Sequence, residues 1–255
     1  MSSEERFGYE WDKYSQIDEN YQNQFKNWVF PLNPDDFRGK KILDAGCGMG
    51  RNSYWSLKWG ASFLTVFDHD QRSVAAARKT LKDFSNVEVL YQNIYGLKSV
   101  NEYDLAFSIG VIHHLENPKQ AVKNLVRSLK SGGKLVLWVY SRVGYELVLK
   151  LINPLRKNIT SKLPLPVVHL ISYFFSIPLW LFIKIFRGPS GYLKQLSTFK
   201  FWHLHSIVFD QLIPRVANYW TREEVENLLK GLNLKDIDIH QPPNGNGWTI
   251  IAKKI

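Results

Sequence analysis

The chain has 255 residues, of which 45% are hydrophobic and 22% charged, as is ordinary for a globular protein. This length suffices for one large domain, or one domain with an insertion, and for a core that needs neither disulfides nor metal. Cys47 is the one cysteine, which excludes an intrachain disulfide, and no Cys/His spacing indicates a zinc site. Because the N-terminal MSSEERFGYEWDKYS has no apolar segment typical of a secretory signal, we expect a cytoplasmic location.

The net charge of +10 is concentrated in one part of the chain. Residues 141–220 contain ten lysines and arginines against two acids, Glu146 and Asp210, which gives this segment a net charge of +8. The segment is also rich in Trp, Phe, Leu and Ile, and this combination favours an anionic membrane surface as a partner. Nucleic acid is the competing partner, but the segment is too apolar for a typical phosphate-binding stripe.

The predicted elements begin with a helix over residues 15–29, which ends before Pro31-Leu32-Asn33-Pro34. Strands and helices then alternate, as in an α/β fold. The predicted strands are 41–45, 62–68, 87–92, 103–108 and 134–140, and the predicted helices are 51–58, 72–84 and 118–129. Gly132-Gly133 is predicted to turn the chain from the last of these helices into the fifth strand.

Residues 141–220 interrupt this alternation. Six prolines are predicted to divide the segment into short helices: Pro154, Pro164, Pro166, Pro178, Pro189 and Pro214. The alternation resumes at Thr221, which together with Glu224 has the spacing of a capping box that starts a helix. Strands near 235–240 and 248–253 follow, with Asn244-Gly245-Asn246-Gly247 as the reversal between them.

These elements predict an α/β protein with a doubly wound, mostly parallel seven-stranded sheet and a final antiparallel pair. We assign the Rossmann-like core to residues 35–141 and 221–255. A helical, apolar and basic insertion, residues 142–220, lies between the fifth strand and the last helix. Residues 1–34 are assigned to an N-terminal helical lid. Its aromatic residues either fold over a ligand or pack on the sheet: Phe7, Tyr9, Trp11 and Tyr14.

The strongest local signal is KKILDAGCGMGRNS, residues 40–53, in which a buried strand runs through three glycines into a helix. Glycines allow a sharp turn and the close approach of a ligand, and the helix N-terminus offers N–H groups to an anion. Asp68 ends the second strand, where a carboxylate can accept both hydroxyls of a ribose. In the dinucleotide-binding pattern G-x-G-x-x-G, the third glycine would stand where this chain has Arg51. This difference disfavours an NAD or nucleotide-sugar site. The alternative to a ligand site is that the glycines form a purely structural turn.

The D-x-G-C-G-x-G pattern of residues 44–50 resembles the first motif of the class I S-adenosylmethionine-dependent methyltransferases. FDHD around Asp68 resembles the ribose-binding motif of that family, and Gln92-Asn93-Ile94 matches its adenine-contacting position. YDLAFSIGVIHHL, residues 103–115, resembles its fourth motif. Members usually carry Asp where Asn93 stands, although asparagine also supplies a carbonyl acceptor.

The resemblance extends over about residues 38–140 and 221–255, and it implies a Rossmann-like fold with S-adenosylmethionine as cofactor. It also implies a set of cofactor-binding residues: Asp44, Gly46, Cys47, Gly48, Gly50, Asp68, His69, Asn93, Ile94 and Ser108. Within the glycine loop, Cys47 is read as a small residue that fits, and not as a nucleophile.

Catalytic candidates follow from the chemistry that the resemblance implies. A sulfonium methyl group is already activated, so such an enzyme mainly holds an acceptor in line with it. An oxygen or carbon acceptor also needs a general base. His113, just after the fourth strand, is a candidate base, whereas His114 is expected to cap or pack the next turn. His205, Asp210 and Tyr219 of the insertion are further catalytic candidates, with a structural role as the alternative.

The end of the insertion has a second resemblance. F-D-x-L-x-P at residues 209–214, followed by Tyr219 and T-x-E-E, is similar to methyltransferases of bacterial polysaccharide and lipid-linked clusters. The acceptors of those proteins are mostly unspecified, so this resemblance implies a family role for Asp210 and Tyr219 without naming a chemistry.

The segment VVHLISYFFSIPLWLFIKIF, residues 167–186, is almost long enough to span a bilayer. A single crossing would separate residues 41–140 from residues 221–255, which are predicted to share one sheet. We therefore expect a lid over the site, a contact with a second copy in a homodimer, or a surface that rests on a membrane.

The sequence thus predicts a methyltransferase that uses S-adenosylmethionine and acts on an oxygen or carbon of a small or lipid-linked acceptor. The alternative is a non-catalytic module that keeps the cofactor fold and uses the basic insertion to bind a partner or nucleic acid.

Overall fold

In a computed structural model of the protein, residues 20–143, 146–186, 191–242 and 247–255 are described. The predictions for Phe7, Tyr9, Trp11 and Tyr14, and for most of the reversal at 244–247, lie outside the described residues. The described part of the first helix, α1, runs from Asn20 to Val29. The short helix α2, Pro34–Phe37, follows it and is capped by the side chain of Asn33.

Seven strands form one sheet, in the spatial order β3-β2-β1-β4-β5-β7-β6. They are β1 (Lys41–Ala45), β2 (Phe63–Asp68), β3 (Val87–Tyr91), β4 (Tyr103–Ile109), β5 (Leu129–Val139), β6 (Leu234–His240) and β7 (Trp248–Lys254). β1 to β5 run parallel, and β7 runs antiparallel to both β5 and β6. The predicted doubly wound, mostly parallel seven-stranded fold is confirmed.

Helices cover both faces of the sheet. They are α3 (Arg51–Lys58), α4 (Gln71–Thr80), α5 (Pro118–Ser128) and α10 (Arg222–Leu229). Leu43, Leu125 and Leu135 belong to the buried cluster on one face, and Phe37, Leu64 and Phe107 to the cluster on the other. The capping box at the start of α10 is present, because Thr221 and Glu224 each accept a backbone N–H of the other.

Two boundaries differ from the predictions. β5 begins at Leu129, directly after α5, so the predicted helix exit at Gly132-Gly133 is wrong. Leu129 pairs with Tyr103 and Lys134 pairs with Leu105, and the extra residues between them are absorbed by an irregularity in the strand. α4 ends at Thr80 because Leu81, buried in the core, caps it, and a turn from Leu81 to Phe84 follows.

The described part of the insertion contains four α-helices: α6 (Glu146–Asn158), α7 (Leu165–Phe186), α8 (Gly191–Ser197) and α9 (Phe201–Leu212). The prediction that its prolines cut it into short helices is wrong at two positions. Pro154 lies inside α6 and Pro178 lies inside α7, which continues for 22 residues. A proline inside a helix costs roughly 3 kcal/mol, which apolar packing of α7 against α9 offsets.

Both ends of the insertion meet at the carboxyl end of β5. Trp220 donates its N–H to the carbonyl of Tyr140 at 3.1 Å, and the N–H of Arg142 donates to the carbonyl of Trp220 at 2.9 Å. Among the described helices, α7 is the one whose length and composition would suffice to cross a membrane. The chain on either side of it belongs to the same sheet, because β5 and β7 are paired.

Candidate functional site

A cavity lies above the carboxyl ends of β1, β2, β4 and β5, where the strand order reverses between β1 and β4. In doubly wound sheets, ligands bind at this position. The loops after the strands make the floor of the cavity. α1 contributes Gln24 and Trp28 to its wall, and α9 of the insertion, whose His203 ring lies 4.8 Å from that of Tyr21, completes it.

The loop after β1 takes its shape from left-handed glycines. Gly46, Gly48 and Gly50 have φ angles of 80°, 54° and 82°, a region that side chains with a Cβ rarely adopt. The N–H groups of Gly46 and Cys47 both donate to the carbonyl of Phe67, at 2.9 and 3.0 Å, which ties the loop to the end of β2. A Cβ on Gly46 would lie 2.5 Å from a methyl carbon of Val111.

Asp68 joins this loop to the end of β2. Its Oδ2 accepts the N–H of Gly48 at 2.9 Å and its Oδ1 accepts the N–H of Asp70 at 3.0 Å. Burial raises the pKa of Asp68 in spite of these two bonds. A carboxylate has about four acceptor positions, so two backbone donors leave capacity for hydroxyl groups of a ligand on the cavity side.

Other predicted cofactor residues support the loop from behind. The Ser53 hydroxyl donates to Asp44, whose pKa burial raises to about 7. Ser108 is fully buried and donates to the carbonyl of Ala45 at 2.8 Å, joining β4 to β1. Gly50 caps the N-terminus of α3. Cys47 does line the cavity, and burial raises the pKa of its thiol, so the thiol is neutral near pH 7.

The predicted adenine side is also on the cavity wall, where His69, Asn93 and Ile94 lie together. The His69 ring stacks on Tyr91 with centroids 5.8 Å apart. Asn93 Oδ1 accepts the N–H of Tyr95 at 2.9 Å, so one lone pair of the carbonyl that was expected to contact adenine is already used. The second lone pair keeps it available as an acceptor.

One face of α9 forms part of the wall of the cavity that the glycine loop also lines. The lining residues of this helix are His203, Ser206, Ile207, Asp210 and Gln211. Their spacing of three and four residues places them on a single helical face. The structure therefore brings Asp210, one of the predicted catalytic residues, to the cavity that holds Asp68. Sequence reasoning missed the other four, although the same helical spacing was the signal that would have found them.

His205 lies on the other side of α9. It is fully buried and contacts Ser176 Oγ of α7 at 2.8 Å through Nδ1, and Ser172 Oγ at 3.2 Å through Nε2. Five residues along a helix rotate a side chain by about 140°, so His205 and Asp210 do not share a face. This placement supports a structural role for His205 in joining α7 to α9.

Tyr219 is buried next to the cavity and is linked to it through Gln211. Its hydroxyl donates to Gln211 Oε1 at 2.9 Å, and Gln211 Nε2 donates to the hydroxyl of Tyr140 at 3.0 Å. The buried Arg156 of α6 donates to Tyr219 Oη at 3.4 Å. Tyr219 thus acts through two residues that do line the cavity, Gln211 and Tyr140.

The two histidines after β4 are placed differently. His113 is fully buried with its ring 3.8 Å from that of Tyr140, and burial lowers its pKa well below the ordinary value. His114 lines the cavity, and its Nδ1 lies 2.8 Å from the carbonyl of Val216. Since a carbonyl only accepts, Nδ1 carries the proton in the neutral ring and Nε2 is the basic nitrogen. Burial lowers the pKa of His114 to about 4.

Acidification is expected to destabilise the wild-type protein relative to a His114→Gln variant. The folded pKa of about 4 lies below the unfolded value of ~6.5, so the unfolded state binds more protons between these values. Stability is therefore lost as the pH falls through this window, by roughly 2 kcal/mol from pH 7 to pH 5. The pKa of Asp44 is raised to about 7, so its effect on stability changes with pH in the opposite direction. The wild type and the variant share this effect, so the difference between them isolates His114. Urea unfolding at both pH values measures the difference, and identical pH dependence would contradict a buried neutral His114.

Comparison with known proteins agrees with this geometry. A family model described as a methyltransferase domain matches residues 43–137, which contain the glycine loop, Asp68 and Asn93. The whole fold is similar to that of a magnesium protoporphyrin IX methyltransferase from Synechocystis PCC 6803 with bound SAH. That likeness has a TM-score of 0.59 and 15% identity, and it covers 97% of this chain and 94% of the other. Residues 43–137 are a methyltransferase domain with the Rossmann-like fold of the class I S-adenosylmethionine-dependent methyltransferases.

Curated relatives match less than half of the chain. A tRNA U34 carboxymethyltransferase of Proteus mirabilis is 33% identical over 127 residues, 48% of this chain and 38% of the relative. A mitochondrial ubiquinone biosynthesis O-methyltransferase of Schizosaccharomyces pombe is 33% identical over 110 residues, 42% of this chain and 40% of the relative. The chain thus matches about two fifths of the length of these relatives.

The cavity fits S-adenosylmethionine, the cofactor of this domain. Of the described residues on its wall, Gln24 and Asn52 each have a buried side-chain oxygen without a hydrogen-bond partner. These acceptors suit the ammonium group of the methionine part. Arg51 lies on the same wall, its guanidinium 5.0 Å from the Tyr21 ring centre, and it suits the carboxylate. Asp68 suits the ribose hydroxyls.

Proposed function

We propose that this protein transfers the methyl group of S-adenosylmethionine to an oxygen or carbon of a small or lipid-linked acceptor. The observation that carries the proposal is the shared cavity, which is lined by the glycine loop, by Asp68 and by α9 of the insertion. An acceptor held by α9 would face the cofactor across this space, which is the arrangement that proximity catalysis requires.

The charges around the cavity support an acceptor without phosphate groups at its reacting end. Arg51 is the one lysine or arginine among the described lining residues, and it lies beside the glycine loop. The acceptor side instead carries the carboxylate of Asp210 together with Ser206 and Gln211. Carboxylate and amide groups suit an acceptor that presents hydroxyl or amine donors.

The chain's own residues would hold and orient the acceptor. When bound, S-adenosylmethionine supplies a methyl group that is already activated on a sulfonium centre. His114 lines the cavity with its ring held by the carbonyl of Val216, and it would orient the acceptor. Asp210 would take the proton of an acceptor hydroxyl. Trp28, Trp138 and Tyr140 line the cavity with aromatic rings, which favour a cationic sulfonium.

An RNA acceptor is the second candidate, because the relatives from Proteus mirabilis and other bacteria are named for a tRNA reaction. The insertion adds the charge that a polyanion would need, +8 over residues 141–220. These alignments cover about half of this chain and about two fifths of the relatives, however, and acceptor recognition is expected from α9. Methylation of RNA is therefore one of the outcomes that the test below distinguishes.

The test uses the purified chain with S-adenosylmethionine carrying a labelled methyl group. Bacterial lipid extract, a soluble small-molecule fraction and total tRNA are offered separately, and label in the recovered acceptor is measured. We expect label in the lipid or small-molecule fraction. Asp210→Asn should lower the rate at least about 10-fold while S-adenosylhomocysteine affinity stays within twofold, because Asp210 lies on the acceptor side. Asp83→Asn, the same chemical change at an exposed position of the cofactor domain, is the control.

Label confined to tRNA would replace the proposed acceptor class by RNA. Label in no fraction, with cofactor binding intact, would remove the acceptor proposal while leaving the cofactor site in place. An equal loss of rate and cofactor affinity in Asp210→Asn would assign Asp210 to the cofactor instead.

A further inference from the structure

The outer face of α7 is a continuous apolar surface. It consists of Val167, Leu170, Phe174, Ile177, Leu181 and Ile185, which are between 42% and 79% exposed. These residues recur at intervals of three and four and therefore form one stripe along the helix. A helix of 22 residues is roughly 33 Å long, so these six side chains form an exposed apolar strip that extends along most of its length.

The inner face of α7 is tied to the cavity through α9. Val168, Ser172 and Ser176 are buried, and both serines contact His205 of α9. The opposite face of α9 lines the cavity with Ser206 and Asp210. Packed helices lie 8–10 Å apart, so about one helix layer separates the outer face from the acceptor side of the cavity.

The charges around the outer face are of one sign. The sequence has no acidic residue between Glu146 and Asp210. Lys157 and Lys162 precede α7 and are exposed. Lys184 lies at the edge of the outer face near the other end, where its Nζ donates to the carbonyl of Ser197 at 2.8 Å, and the exposed Lys194 belongs to the adjoining α8.

This charge pattern selects among the possible occupants of the outer face. A second copy related by twofold symmetry would bring the lysine-bearing ends of α7 together, and the insertion has no acid between Glu146 and Asp210 to compensate. A span is disfavoured because β5 and β7, on either side of the insertion, are neighbours in one sheet. An anionic lipid surface satisfies both features, since it accepts the apolar side chains and attracts the lysines.

We infer that the outer face of α7 docks on an anionic membrane surface with the helix lying in the plane of the interface. Docked in this way, α9 and the cavity lie directly above the lipid headgroups. This inference deepens the proposed function, because it assigns the acceptor to the lipid-linked class. It rests on the proposed function for that assignment alone.

The test is sedimentation of the full chain with phosphatidylcholine vesicles, with and without phosphatidylglycerol. The wild type is expected to bind the anionic vesicles and to be released by high salt. Phe174→Glu/Leu181→Glu should reduce binding at least about 10-fold, because two charges would enter the apolar boundary. Val100→Glu/Ile237→Glu is the matched control, since it places the same charges at exposed apolar positions of the cofactor domain.

Circular dichroism and S-adenosylhomocysteine affinity should be unchanged in both double variants, which separates membrane docking from folding and from cofactor binding. A wild type that ignores anionic vesicles would overturn the inference. So would equal losses in the two double variants. A wild-type dimer that Phe174→Glu/Leu181→Glu converts to monomers, without vesicle binding, would assign the outer face to a second copy. Each of these results is independent of whether methyl transfer is detected.

Discussion

Replacement of Asp68 by asparagine is expected to weaken S-adenosylhomocysteine binding by at least about 100-fold. Charge-assisted hydrogen bonds contribute roughly 1.5–3 kcal/mol each, and a ribose would take two of them from this carboxylate. An amide would also place an –NH2 group opposite either the Gly48 N–H or the Asp70 N–H, so that one accepting contact is lost. The glycine loop would then lose its tie to β2 on the cavity side. Isothermal calorimetry measures the change.

Asp83→Asn is the matched control, because it removes the same charge at an exposed position of the same domain. It is expected to bind S-adenosylhomocysteine like the wild type. Because burial raises the pKa of Asp68, its charge is unfavourable in the folded state, and we expect the substitution to spare the fold. Wild-type affinity in a folded Asp68→Asn protein would remove Asp68 from the cofactor site.

Replacement of Gly46 by alanine is expected to lower the free energy of unfolding by about 3 kcal/mol. The left-handed backbone at φ 80° costs a residue with a Cβ roughly 1–2 kcal/mol. The new Cβ would also lie 2.5 Å from Val111, so that buried side chain must move, at a cost of about 1–3 kcal/mol. Urea unfolding measures the change, and cofactor affinity should fall as well because Val111 lines the cavity.

Gly39→Ala separates the two contributions. Gly39 has a similar φ of 68°, but a Cβ there would meet no atom within 4 Å. It should therefore cost only about 1 kcal/mol, the backbone part of the effect. If both alanine variants lost equal stability, close packing between Gly46 and Val111 would not contribute.

The cofactor half of the site was predictable because its signals are local. Left-handed turns need glycine, and in residues 44–50 three glycines directly follow a buried strand. Asp68 was expected near the glycine loop because it ends the second strand, and the family resemblance implied Asn93. Both residues line one cavity together with the loop. Asp44, Gly50 and Ser108 share the same motifs but support the loop from behind. A sequence motif indicates which residues lie near a site, but it does not indicate which of their side chains face a ligand.

The acceptor half depended on tertiary contacts. His113 and His114 are adjacent in sequence, and only the packing of Tyr140 and the carbonyl of Val216 decides that His114 lines the cavity. His205 and Asp210 lie five residues apart, and the contact of His205 with Ser172 and Ser176 turns Asp210 toward the cavity. Pro178 suggested a break, yet α7 continues because it packs along α9.

The sequence by itself determined the α/β fold, the glycine loop and the carboxylate that follows the second strand. Each depends on backbone conformation or on a periodicity of a few residues, and such short-range effects are determined by residues that are close together in the sequence. Tertiary structure alone decided which face of α9 lines the cavity, which histidine reaches it, and that one side of α7 remains exposed. These outcomes depend on how two helices rotate against each other, which is set by the summed packing of residues far apart in the chain.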